Sequence, residues 1–537
     1  MAEPTVVVDG RTLTPEAVEA VARRDAPVEL APAAREAIGL ARERVEAVLD
    51  SGEAVYGVTT GFGRLVDERI DRDDRRQLQV NLLRSHAAGV DDPLEAEVVR
   101  AMLLTRANAL ATGFSGVRPV VVEHLLELLN ADVTPVVPRR GSLGASGDLA
   151  PLAHLGLVLI GEGEADVDGE RLDGEAALAA AGLEPLEFRA KEGLAIINGT
   201  QLTLALASLL VVDARRLLDA ADAAGALTTE VTMSTTATSD PGIAAARGHP
   251  GQVAAAENVR RLTADSAVVE AHGECDRVQD AYAIRCLTQV HGAVRTALAH
   301  LREAVEVELN AATDNPLVFE ADAVDERAPG TAEAAVLSGG NFHGEPLALP
   351  LGYLQGALAE LGTIAERRVD HLLNPTIQES HLPPFLAGEP GLESGLMLSQ
   401  YTAAALGTVG RTRGRPALDN VTVSGNQEDH VSMSAEAALV ARETLEAVRL
   451  AVAVELLCGA EATSYLPDDL GVGRGTAAVV DAVRAVVPPR SGDRPVGPDV
   501  ERVAGLIADA TVEAAIEGAL GGPLSNQRAP VPPGAYR

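Results

Sequence analysis

Residues 200–226 read TQLTLALASLLVVDARRLLDAADAAGA, and this run decides the fold class. Leucine, alanine and valine dominate it and its charges fall to one side, the pattern of a long helix with an apolar face. Residues 281–310, 346–374, 394–410 and 433–462 share that character. Most of these runs exceed the usual length of a globular helix, so a bundle of long helices is expected. Polar loops separate them: TMSTTATSDPG (232–242), NAATDNP (310–316), LSGGNFHGEP (337–346) and VTVSGNQEDHVSM (421–433).

Upstream of Thr200 the character changes. Short helical patterns alternate with proline and glycine, and helical periodicity strengthens over AEVVRAMLLTRANALAT (96–112). A turn-rich stretch, TPVVPRRGSLGASGD (134–148), leads into LAPLAHLGLVLIG (149–161), which reads as a buried helix. A hairpin is expected at VDGERLDGE (167–175). The expected organisation is a mainly α chain, with a mixed N-terminal part over 1–200 and a long-helix bundle over 201–537.

Composition narrows the function classes. The 537 residues carry 78 acidic and 44 basic side chains, a formal charge of −34 that opposes binding to nucleic acid or anionic membranes. The acidic residues run along the whole chain rather than forming a tail, which fits a solvated surface suited to high salt. Lys191 is the sole lysine. Aromatic residues make up only 2% and tryptophan is absent, so the core must be filled by small aliphatic side chains. Cys275, Cys286 and Cys458 form no disulfide framework, and the first twenty residues show no basic stretch followed by an apolar core. A cytoplasmic protein is the expectation.

The chemistry lies in the loops. Gly141-Ser142-Leu143-Gly144-Ala145-Ser146-Gly147-Asp148 reads, taken alone, as a glycine-rich turn capped by Ser146 or Asp148. Its small residues also allow a tighter bend, in which the Gly147 amide nitrogen attacks the Ala145 carbonyl carbon. Loss of water from that ring and from Ser146 would leave an exocyclic methylidene.

The segment GSLGASGDLAPLAHLG resembles the signature of the aromatic amino acid ammonia-lyases, in which Ala-Ser-Gly cyclises to 4-methylidene-imidazol-5-one (MIO). Further matches follow in family order. They are Tyr56-Gly57-Val58-Thr59-Thr60-Gly61-Phe62-Gly63, Ser85-His86-Ala87-Ala88-Gly89, Asn198-Gly199-Thr200 and Gln279-Asp280-Ala281-Tyr282-Ala283-Ile284-Arg285-Cys286. Then come Asn315-Pro316, Ser338-Gly339-Gly340-Asn341-Phe342-His343-Gly344 and Asn426-Gln427-Glu428-Asp429-His430.

This resemblance implies a helical architecture like that of the fumarase and aspartase group, and a homotetramer with shared active sites. It implies an MIO electrophile made from Ala145, Ser146 and Gly147, with no external cofactor. Tyr56 resembles the base that takes the substrate's β-proton. Arg285 resembles the carboxylate clamp, with Gln279 and Tyr282 at three-residue spacing, one helical face if the segment is helical. Tyr282 and Asn198 resemble residues beside the ring, and Phe342 an aromatic wall. His86 and Glu428 match the histidine-specific members, so the expected reaction converts L-histidine to trans-urocanate and ammonia. No ligand-spaced cluster supports a metal reading of His86, Glu428 and His430. Ala281, Gly344 and Glu393 depart from the family pattern beside its motifs.

Overall fold

The run that opens at Thr200 folds as one helix, Gln201–Val231. It is seen in a computed structural model that describes residues 3–51, 55, 74–272, 278–324 and 329–526. Three other runs fold as read, into Glu345–Leu373, Met397–Thr412 and Ser434–Ala462. The run 281–310 does not form one helix. A single turn, Tyr282–Arg285, is followed by Cys286 at φ −102° and ψ 14°, and then by the helix Leu287–Leu309. Ala281 is extended (φ −58°, ψ 148°), so helical geometry cannot run back to Gln279.

The chain divides into two compact units, each assembled from three stretches. One comprises residues 1–212, 301–352 and 415–439; the other comprises 213–300, 353–414 and 440–537.

Among the described residues the first unit mixes helices with four small sheets. Val6–Val8 pairs in parallel with Val28–Leu30. Val90–Pro93 pairs antiparallel with Pro138–Arg140, and Leu317–Glu320 with Ala334–Leu337. The strands Val133–Pro135, Glu164–Val167 and Glu170–Asp173 form a three-stranded antiparallel sheet, whose last two strands are the expected hairpin. At its centre lies Ala96–Ala111, buried on every side from Val98 to Ala111. A helix with no solvated face forces any polar residue on it to find partners inside.

In the second unit the described elements are helices. Their close approach depends on small residues. A Cβ at Gly225 would lie 2.4 Å from Leu287 Cδ1, and one at Gly410 would lie 2.8 Å from Thr444 Cγ2. This is how a core poor in aromatic rings reaches native density: alanine and glycine bring the helices together. A wholly buried ionic network crosses the same core. Glu455 holds Arg368 through two hydrogen bonds of 2.5 and 2.9 Å, and Arg295 bonds Asp219 at 3.1 Å and Asp222 at 2.5 Å. No helix among the described residues is long and apolar enough to cross a membrane.

Candidate active site

The tripeptide Ala145-Ser146-Gly147 sits in a loop held from two sides within the first unit. On one side, Leu143 O accepts from Met433 N at 2.8 Å, and Gly144 O accepts from Ser432 Oγ at 3.1 Å. On the other, Gly147 forms a parallel bridge with Gly199, and Asp148 N donates to Gly199 O at 2.7 Å. Gly147 has φ +77°, and a Cβ there would lie 2.2 Å from Gly199 O. Glycine is therefore required twice over, by backbone conformation and by space.

Asp148 opens the helix Leu149–Leu159, as one of the two expected caps. Its side chain does not cap that helix. It accepts instead from Ser142 Oγ at 2.6 Å and from Thr203 N at 2.9 Å, tying both ends of the loop to the helix Gln201–Val231. Burial pushes this carboxyl up, while the Ser142 and Thr203 hydrogen bonds work the other way.

Ser146 Oγ donates to Glu428 Oε1 at 3.0 Å. Glu428 is presented by a short loop that closes on itself through Val423 N to Glu428 O at 2.9 Å. Asn420 clamps the loop's far side, donating to Asp429 O and accepting from Val431 N, both at 2.9 Å. His430 stacks on His343 with ring centroids 5.8 Å apart.

His86 ends the helix Arg75–His86, and its Nδ1 lies 2.8 Å from Leu82 O. A carbonyl only accepts, so Nδ1 carries a proton and is the atom that holds the ring to its own helix. Asn198 follows the helix Glu192–Ile197; it is 5% exposed, and its Oδ1 has no partner among the described residues. Phe342 is half-buried in a turn that Asn315 secures, through Ser338 Oγ at 3.1 Å and Gly339 N at 2.7 Å.

Gln279, Tyr282 and Arg285 belong to the second unit. Arg285 Nη1 donates to Gln279 Oε1, and its guanidinium lies 4.7 Å from the centre of the Tyr282 ring. The three residues do meet, though not on one helical face: Gln279 precedes the turn and folds back to Arg285. Tyr56 lies outside the described residues, as does Cys275. Among the described residues, no group of three or more His, Cys, Asp or Glu side chains is arranged to hold a metal.

The family model for aromatic amino acid lyases matches residues 13–485. The chain belongs to the aromatic amino acid lyase family. A protein of Halobacterium salinarum named a probable histidine ammonia-lyase is 60% identical over 520 residues, covering 97% of this chain and 99% of its own. A histidine ammonia-lyase of Symbiobacterium thermophilum is 50% identical over 517 residues, covering 96% and 99%. Among solved structures, tyrosine aminomutase of Streptomyces globisporus has 36% identity and a TM-score of 0.90, covering 97% and 100%. Histidine ammonia-lyase of Trypanosoma cruzi has 36% identity and a TM-score of 0.87, covering 99% and 100%.

Several residues around the loop of this aromatic amino acid lyase were not singled out from sequence. From sequence Asp148 is no more than a candidate cap and Lys191 no more than the sole lysine. Thr200 Oγ1 donates to Glu308 Oε1 at 2.7 Å, next to the same loop. Arg106 reaches the Asn198 carbonyl at 3.1 Å. A signal existed for Arg106, a lone cation amid MLLTRANALA, where burial on all sides demands a specific partner.

Proposed function

We propose that this chain is a histidine ammonia-lyase, which eliminates ammonia from L-histidine without oxidation or hydrolysis and releases trans-urocanate. One observation carries the reading: the 3.0 Å hydrogen bond between Ser146 and Glu428, which sets a carboxylate at the middle residue of Ala-Ser-Gly. The likeness to proteins named histidine ammonia-lyase, over nearly the full length of both chains, supports it.

The proposed electrophile comes from the chain itself. The Gly147 amide nitrogen attacks the Ala145 carbonyl carbon, and that oxygen leaves as water with the amide hydrogens of Gly147 and Ser146. Ser146 then loses Oγ and its Cα hydrogen as a second water, leaving a C=C bond. The residues suit this closure: Gly144 and Gly147 turn the loop at φ +66° and +77°, and the neighbouring backbone leaves no room for a side chain at Gly147. Once formed, 4-methylidene-imidazol-5-one supplies an electrophile that activates an amino acid toward loss of ammonia.

The remaining roles fall to ordinary side chains. Arg285 holds the substrate carboxylate with its two-pronged donor, and Gln279 and Tyr282 orient that guanidinium. Asn198, whose buried Oδ1 needs a donor, faces the substrate or the ring. Glu428 accepts the imidazole N–H and His86 offers its Nε2, a pairing that a phenyl ring cannot satisfy. Phe342 packs against the substrate ring. Tyr56 removes the β-proton. The proposed assembly is a cytoplasmic homotetramer with active sites shared between chains. Large apolar side chains left exposed on the long helices, at Tyr353, Leu398 and Tyr401, are consistent with such association.

The test is turnover of L-histidine against L-tyrosine, followed by the absorbance of urocanate and coumarate. Urocanate from histidine is the expected product. Activity confined to tyrosine would overturn the assignment, and a β-amino acid product would point to a mutase.

A further inference from the structure

We propose that Arg106 is a positioning residue for the electrophilic tripeptide: it fixes the Asn198-Gly199 strap against Gly147 and brings a buried positive charge to that strap. The inference rests on the reading of Ala145-Ser146-Gly147 as a self-cyclising loop.

Arg106 is wholly buried in the helix Ala96–Ala111. Its Nη1 donates to Gln201 Oε1 at 2.7 Å, to Asn198 O at 3.1 Å and to Thr313 O at 3.5 Å. All three acceptors are neutral, and Nε and Nη2 have no hydrogen-bond partner among the described residues. Burial pushes the guanidinium down to about 10, against the pull of the Asp314 carboxylate. A cation in this position is a poor way to stabilise a fold, since a well-packed apolar side chain of similar volume is commonly as good or better. A role at the strap explains its presence.

The strap makes two close contacts that exclude a side chain. A Cβ at Gly199 would lie 2.2 Å from Arg106 Nη1, so the strap backbone rests on the guanidinium. A Cβ at Gly147 would in turn lie 2.2 Å from Gly199 O. Gly199 thus touches both Arg106 and Gly147, with no space for a methyl group at either contact. Any shift of the guanidinium is passed to the peptide nitrogen that must attack Ala145.

Lys191 and Asp314 anchor this arrangement. Lys191 Nζ bonds Asp314 Oδ2 at 2.7 Å, both side chains are buried, and Asp314 adjoins Thr313, whose carbonyl Arg106 reaches. Arg106 and Lys191 are cations and Asp314 an anion, while the Asp148 and Glu308 carboxylates flank the same strap, so the charge that bonds the strap itself is that of Arg106.

The test compares full-length wild type, Arg106→Met and Arg106→Lys by intact mass, circular dichroism and steady-state kinetics. Wild type should show the loss of two waters; if it carries its unmodified mass, the self-cyclising reading fails first, and that outcome is distinguishable. Arg106→Met should keep its helical signal yet consist mainly of unmodified chains, with kcat lowered roughly tenfold or more. Arg106→Lys, which retains charge but not the planar fork, should be partly modified. Folded Arg106→Met with complete loss of two waters and wild-type kcat would overturn the proposal. If Arg106→Met does not accumulate as folded protein, Arg106→Lys decides: complete modification with wild-type kcat overturns it, and incomplete modification upholds it.

Discussion

Ser146 and Glu428, 282 positions apart, are joined by a hydrogen bond of 3.0 Å from Oγ to Oε1. Neither residue is placed by its own neighbours alone. The loop of Ser146 is tied to Ser432 and Met433, so the segment that carries Glu428 also braces the tripeptide. Substitutions at these two residues should therefore separate making the electrophile from using it. Ser146→Ala should retain its fold and unmodified mass and form no measurable urocanate. Glu428→Gln keeps the shape and the hydrogen bond, so it should still lose two waters, while kcat falls roughly a hundredfold or more. Intact mass beside urocanate absorbance checks both, and full turnover by Ser146→Ala would contradict the mechanism.

Arg285 donates to Gln279 and lies against Tyr282 before any substrate arrives. Arg285→Lys puts a point charge where a planar fork stood. We expect the KM for L-histidine to rise about tenfold, with a smaller change in kcat, since one charge-assisted hydrogen bond contributes about 1.5–3 kcal/mol. An unchanged kcat/KM would remove Arg285 from the clamp role.

Lys191 tests the buried pair independently of chemistry. It sits at φ +77° and bonds Asp314 at 2.7 Å out of contact with solvent. Lys191→Met removes the cation bonded to this buried carboxylate, which should cost about 3–5 kcal/mol. The double variant Lys191→Met/Asp314→Leu should recover most of that loss. Thermal melts of the three proteins decide the matter: equal losses for the single and double variants would show that the charge is not the cause.

His291 gives a pH signature in the second unit. Its Nδ1 lies 2.7 Å from Asp222 Oδ1, and its Nε2 lies 3.3 Å from Arg368 Nη1. A guanidinium only donates, so Nε2 accepts and the ring is neutral. Burial chiefly, with the Arg368 charge, lowers the pKa below the ordinary 6.5, against the pull of Asp222. Between the folded and unfolded values the unfolded chain binds more protons, so this stability is present above about 6.5 and lost as pH falls. Asp219, raised to about 6 by burial, has the opposite sign, so the comparison must be with a variant. The melting temperature of wild type minus that of His291→Gln should shrink from about pH 7.5 to about pH 5.5. A difference independent of pH would rule out the neutral ring as its source.

The acidic surface predicts a response to salt. With a formal charge of −34, self-repulsion should fall as the screening length shortens from about 10 Å at ~0.1 M to about 3 Å at ~1 M salt. Melting temperature and activity should both rise with potassium chloride over that range. A maximum near zero salt would end the argument for salt adaptation.

Much of the fold was legible in the chain. Four of the five long apolar runs became long helices because Ala/Leu periodicity is a local property, set by the 3.6-residue repeat. The fifth failed at Cys286, where the chain leaves helical geometry for a single residue, too brief an interruption for periodicity to register. The three-residue spacing of Gln279, Tyr282 and Arg285 suggests a shared helical face, yet with Ala281 extended Gln279 reaches Arg285 from outside the helical turn.

The sequence by itself determined the helical class, the Ala145-Ser146-Gly147 loop and the residue types around it, because each is written in a short contiguous stretch. Only the tertiary structure decided what presses on that loop. Gly199 must be glycine because Arg106 Nη1, Gln201 Oε1 and the Thr313 carbonyl fill the place of a side chain, and Lys191 is balanced by Asp314, 123 positions away. Such demands come from steric exclusion and from the cost of burying charge. Neither exists until distant segments are packed together, so neither leaves a local pattern to read.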